Sequence, residues 1–151
     1  MSLPEGVEEL TQTFLREIGL NLTPTFRETP EAIWVELEGP DNYLLLERQG
    51  IVLESLQLLM SKVAARQLNL AKRLVVDCEG RRRQEEEDLL HQALQAAEQV
   101  RRDGRQQELP PMNAYDRRLV HLELAQIEGV STSSVDVPGG EGLKKIVISP
   151  A

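Results

Sequence analysis

Arg117 and His121 stand four residues apart in the segment Pro110-Pro111-Met112-Asn113-Ala114-Tyr115-Asp116-Arg117-Arg118-Leu119-Val120-His121. On a helix, side chains at that spacing share a face, one turn above the other. The guanidinium offers a planar, permanently charged fork for a phosphate and can stack on a base. The imidazole can stack or donate a hydrogen bond, and its charge changes near neutral pH. The pair points to nucleic-acid binding rather than to catalysis. Spacing alone leaves a second reading open, in which His121 is a satisfied structural residue beside the core row Val120 and Leu124. Arg118, Lys144 and Lys145 are candidates to extend a positive patch, and the helix N-terminus can itself present backbone N–H groups to a phosphate.

These groups need a helix that starts in the right place. Asn113 is a good N-cap, with Asp116 at the third helical position reinforcing the start. The helix is expected to run to about Ile127, with Val120, Leu124 and Ile127 as its core row. Before it, Arg81–Arg102 reads as a long helix burying Leu89, Leu90, Ala93, Leu94, Ala97 and Val100, ended by Gly104. Gln106–Leu109 is extended. Val130–Val137 and Leu143–Ser149 are strands joined by a Gly-rich hairpin loop. In the first half, Glu5–Ile18 is an amphipathic helix on Val7, Leu10, Phe14, Leu15 and Ile18. Asn21–Glu28 is extended. Ala32–Glu38 alternates as a half-buried strand, with Trp34 and Glu36 opposite Ile33, Val35 and Leu37. Tyr43–Leu46 is a short helical turn, interrupted by Glu47-Arg48-Gln49-Gly50. Ile51–Leu68 is a helix burying Leu53, Leu56, Leu59, Met60 and Val63, and Lys72–Glu79 is a strand. The fold class is α+β. Two small modules, 1–79 and 80–151, each lay helices on a small, mainly antiparallel sheet.

Bulk composition narrows the function. The 151 residues are 40% hydrophobic and 28% charged, as in a soluble globular protein. No apolar run is long enough for a membrane span. The start, Met1-Ser2-Leu3-Pro4-Glu5, lacks the basic and apolar regions of a secretion signal, so the cytoplasm is the expected compartment. Cys78 is the single cysteine, read as a small apolar packing residue, and only His91 and His121 could join it at a metal. No metal or cofactor is expected. Net charge is −8, which argues against a general nucleic-acid coat. The basic residues concentrate in the second half, which suits one small patch, because phosphate binding needs local rather than total positive charge. The run Arg81-Arg82-Arg83 reads as a solvated helix start, and His91 as exposed. Trp34 either covers the sheet or marks an exposed contact surface. Aromatic residues are only 3%, so extensive stacking on rings is not available.

The second half resembles an R-three-H domain, named for its arginine–three residues–histidine signature. The resemblance is carried by Leu109–Asn113, by Tyr115–His121 and by the strand Lys144-Lys145-Ile146-Val147-Ile148. The first half resembles a KH domain of the type II topology. A KH domain followed by R-three-H resembles the Jag (SpoIIIJ-associated) family, whose members commonly carry a further small N-terminal domain not in this sequence. The resemblance implies binding of single-stranded RNA or DNA, RNA being favoured in bacteria, through Arg117 and His121. It also implies a role in post-transcriptional control linked to cell-envelope growth, division or sporulation, and no enzymatic activity. KH domains grip about four nucleotides with a Gly-x-x-Gly loop. Here that loop is Glu47-Arg48-Gln49-Gly50. Glu47 puts bulk and negative charge where a phosphate should sit, Arg48 partly offsets it, and Gly50 keeps the second glycine. The KH half is therefore expected to bind nucleic acid poorly.

Two functions compete. One is single-stranded nucleic-acid recognition centred on the C-terminal half. The other is a protein adaptor whose KH half self-associates or pairs with a small KH protein, motivated by acidity, the altered loop and Trp34. An enzyme using Asp116, Arg117 and His121 lacks a phosphate loop, a metal cluster or a nucleophile beside a base.

Overall fold

The structure is a computed structural model that describes residues 3–151; Met1 and Ser2, part of the start inspected for a secretion signal, lie outside the described residues. The chain forms two compact units, divided between Arg83 and Gln84.

The first unit contains α1 (Val7–Glu17), β1 (Thr23–Glu28), β2 (Ala32–Glu38), α2 (Asn42–Gln67) and β3 (Arg73–Cys78). Its sheet has the order β1-β2-β3, with β1 antiparallel to β2 and β2 parallel to β3. The parallel pair requires a crossover, which α2 supplies. Val7 and Leu15 of α1 and Leu45, Leu53, Leu56, Met60 and Ala64 of α2 pack with Ile33, Val35, Leu37, Leu74 and Val76 of the sheet.

Several expectations are corrected here. Strand β2 is buried on both faces rather than half-buried. Trp34 is only 3% exposed, with the Arg27 guanidinium 4.8 Å from the ring centroid, so it is not an exposed contact surface. Arg27, Trp34 and Val75 are register neighbours across the three strands, which stacks them on one side of the sheet. Ile18 lies beyond the last turn of α1 and is exposed; buried Thr11 takes a core position, its hydroxyl donating to Val7 O at 2.8 Å. Leu59 is exposed, whereas Gln57 is buried. The reason is the free edge of β3. The Gln57 amide donates to Leu74 O at 2.6 Å and accepts from Val76 N–H, imitating a further strand. Ser61 Oγ also donates to Leu74 O, at 3.0 Å. A buried strand edge without such partners would leave costly unpaired backbone groups.

The run Arg81–Arg83 opens α3 (Arg81–Asp103) and is not merely solvated. Buried Asp77 accepts from the N–H groups of Cys78 at 2.7 Å, Arg82 at 2.9 Å and Arg83 at 3.2 Å. A carboxylate at that end offsets the positive helix dipole.

The second unit holds the rest of α3, then β4 (Gln107–Glu108), α4 (Ala114–Leu124), β5 (Val130–Asp136) and β6 (Lys144–Pro150). Its sheet is antiparallel throughout, in the order β4-β6-β5. Ala93, Ala97 and Val100 of α3 pack with Val120 and Leu124 of α4, Leu109 and Met112 of the intervening segment, and Ile146 and Ile148 of β6. Leu94, expected in that face, is exposed instead. The contact row is Ala93, Ala97 and Val100, and Leu94 is rotated about 100° from Ala93.

Candidate nucleic-acid interface

Helix α4 begins where its cap dictates. Asn113 is extended, and its Oδ1 accepts from Asp116 N–H at 2.9 Å. Just before it, Met112 exchanges backbone hydrogen bonds with Lys144 of β6, at 2.9 and 3.1 Å, so the helix entrance is fastened to the sheet. Arg117 folds onto this junction, its Nη1 donating to Met112 O at 2.6 Å.

His121 lies one turn further on and is partly exposed. Its Nδ1 is 2.7 Å from Thr132 Oγ1 and its Nε2 is 2.9 Å from Ser134 Oγ. A neutral imidazole donates through one nitrogen and accepts through the other, and a hydroxyl can do either. Burial, and then the nearby Arg117 cation, hold the His121 pKa below its ordinary value. Both effects favour the neutral ring.

Strand register sorts the remaining cations. Ser134 pairs with Ile146 and Asp136 with Lys144, while Val135 pairs with Lys145. Alternation places Thr132, Ser134, Asp136 and Lys144 on the helix-facing side with Ile146 and Ile148, and Lys145 on the other side. Lys144 and Lys145 thus do not form one patch. Lys144 Nζ is 3.4 Å from Asp136 and Lys145 Nζ is 3.0 Å from Glu108. Arg118 is exposed, about 100° around the helix from Arg117. The structure thus gathers Arg117, His121, Thr132, Ser134 and Lys144 on one side of the second unit. The two hydroxyls went unnoticed in the sequence. Their two-residue spacing on a strand was the available signal, because it puts both on one face.

Arg48 and Gly50 belong to the first unit. The helical course of α2 breaks over Glu47–Gly50, as expected from sequence. Glu47 is extended at φ −64°, ψ 161°, and Arg48, Gln49 and Gly50 are left-handed. Glu47 therefore occupies a conformation that needs no glycine. Gly50 is favoured by its φ of +76°, a left-handed value that Arg48 and Gln49 also adopt at a cost, and an added Cβ there would push the flexible Arg81 side chain aside from 2.7 Å. Arg81 also donates to Gln49 O at 2.7 Å, so its guanidinium lies across the loop.

A cleft of about 480 Å³ in the same unit is lined by Glu36, Glu38, Asp77 and Glu79, against the single cation Arg83. That charge disfavours phosphate. Cys78, also at the cleft, has its thiol pKa pushed up to about 11 by burial, Glu79, Asp77 and Glu38, so it is a poor nucleophile. Among the described residues no three His, Cys, Asp or Glu side chains gather as a metal site, and no helix is long and apolar enough to cross a membrane.

The R-three-H domain family model matches residues 87–150. An RNA-binding protein KhpB of Clostridium symbiosum is 32% identical over 146 residues, covering 96% of this chain and 64% of that protein. The RNA-binding protein KhpB of Bacillus subtilis (strain 168) is 25% identical over 138 residues, covering 91% of this chain and 66% of that protein. The chain spans just under two thirds of the length of these curated relatives.

Proposed function

Because the chain belongs to the Jag family, with a KH-like module followed by an R-three-H domain, we propose that it binds single-stranded nucleic acid, RNA above all, through α4 and the adjoining sheet face. The observation that carries this reading is the joint anchoring of Arg117 and His121 on one face of α4, Arg117 on Met112 O and His121 on β5. Arg117 supplies the phosphate fork, and Arg118 and Lys144 add positive potential around it. Both relatives carry the name RNA-binding protein. The protein acts by binding and performs no reaction. Its setting is the bacterial cytoplasm, in post-transcriptional control tied to envelope growth, division or sporulation.

The test is a titration of a short single-stranded RNA against wild type and the Arg117→Ala/His121→Ala protein. The double variant should bind at least about tenfold more weakly, as expected for loss of a charge-assisted contact and a base contact. Equal affinity would remove the reading.

A second reading, a protein-contact role for the KH-like unit, draws on the second half of α2. Ile51, Leu58 and Leu59 are 56%, 58% and 55% exposed, beside partly exposed Val52. Four large apolar side chains on one short stretch are more than scattered surface residues. Sedimentation across a concentration series should then show self-association that Leu58→Glu/Leu59→Glu abolishes. A monomer throughout would exclude the self-associating form.

A further inference from the structure

Resting on the proposed binding site, we infer that His121 contacts the strand through its ring face, as a stacking platform for one unpaired base, and that Thr132 and Ser134 are the residues that position it. Each imidazole nitrogen has one bonding direction, in the ring plane. Both directions are taken: Nδ1 by Thr132 Oγ1 at 2.7 Å and Nε2 by Ser134 Oγ at 2.9 Å. A ligand phosphate could reach a ring nitrogen only by displacing a hydroxyl, which would then need a new partner.

The flat of the ring is different. A neutral π surface stacks on any base, so this contact favours unpaired over paired strands and is tolerant of sequence. The side chain is partly exposed. The two hydroxyls come from alternate residues of one strand, on the side that faces α4, so they fix the ring along β5. Arg117, one turn away, takes the charge-bearing role that a neutral His121 cannot. The division of labour is then a phosphate on the guanidinium and a base on the imidazole.

The experiment compares wild type with Arg117→Ala, His121→Phe, His121→Gln and Thr132→Val/Ser134→Ala. Each is titrated with a single-stranded RNA carrying 2-aminopurine, whose fluorescence falls when the base stacks. Circular dichroism confirms that each variant is folded. His121→Phe should bind within about threefold of wild type and quench the probe. His121→Gln should lose about fivefold or more of the affinity, together with the quenching, the size expected for one stacked base. Thr132→Val/Ser134→Ala leaves every charge in place but frees the ring, so quenching should weaken. Should Arg117→Ala bind as wild type does, the site itself is wrong and this inference falls with it. Should Arg117→Ala weaken binding while His121→Gln binds and quenches like wild type and His121→Phe does neither, the ring nitrogens are the contact. In that case stacking is refuted and the site stands.

Discussion

The state of His121 follows from burial and then from one guanidinium, and it has a consequence for stability. The group is held below its ordinary value of 6.5 in the folded protein. The unfolded chain therefore takes up the proton first as pH falls. Stability is complete above about pH 6.5 and declines as pH drops from there towards the folded value. Thermal unfolding between roughly pH 7.5 and 5.5 should show this decline, and His121→Gln should reduce it; identical pH profiles would contradict the assignment. Position on the sheet gives a second expectation. Lys145 projects from the face away from His121 and is paired with Glu108. Lys145→Ala should change RNA affinity by less than about twofold, as exposed pairs are worth little. Arg117→Ala should cost about tenfold or more in the same titration.

Elements meet through polar side chains as well as apolar ones. Gln57 is the clearest case, since its amide closes the edge of β3 from within α2. Gln57→Leu keeps the side chain's bulk but leaves Val76 N–H without this partner. Urea unfolding should report a loss of about 1–3 kcal/mol, the penalty for an unsatisfied buried group. A loss near zero would mean that water or a shifted strand takes over. The Glu47–Gly50 break works differently. Gln49 and Gly50 of the break lie against the Arg81 guanidinium, so the loop's shape is held by a residue far along the chain. Glycine relieves backbone strain at position 50, where φ is +76°, and brings no such relief at position 47, which is extended.

For the chain as a whole, charge sets the character of binding. The net charge of −8 and the acidic cleft of the first unit leave few cations able to meet a phosphate. Among the described residues, Arg117, Arg118 and Lys144 are the cations of the candidate site, and Lys144 already faces Asp136. With two or three phosphates neutralised, affinity should fall with salt at a log–log slope of about −1.4 to −2.1, from roughly −0.7 per contact on single strands. A slope several times steeper would require a second basic surface.

What could be read along the chain was whatever neighbours within a turn or a pleat decide. The Asn113 cap, the shared face of Arg117 and His121, the break at Glu47–Gly50 and the strands all rest on contacts a few residues long. Hydrophobicity misplaced Ile18, Leu59 and Leu94, because a helical stripe is wider than the row that touches a neighbour. Alternation placed Trp34 on the right side of β2, yet its burial depended on what covers that side. The Thr132 hydroxyl on His121, the Gln57 amide on Val76 and Arg81 on Gln49 join residues 11, 19 and 32 positions apart. Such pairs exist once strands are registered against helices, and no local rule specifies that register.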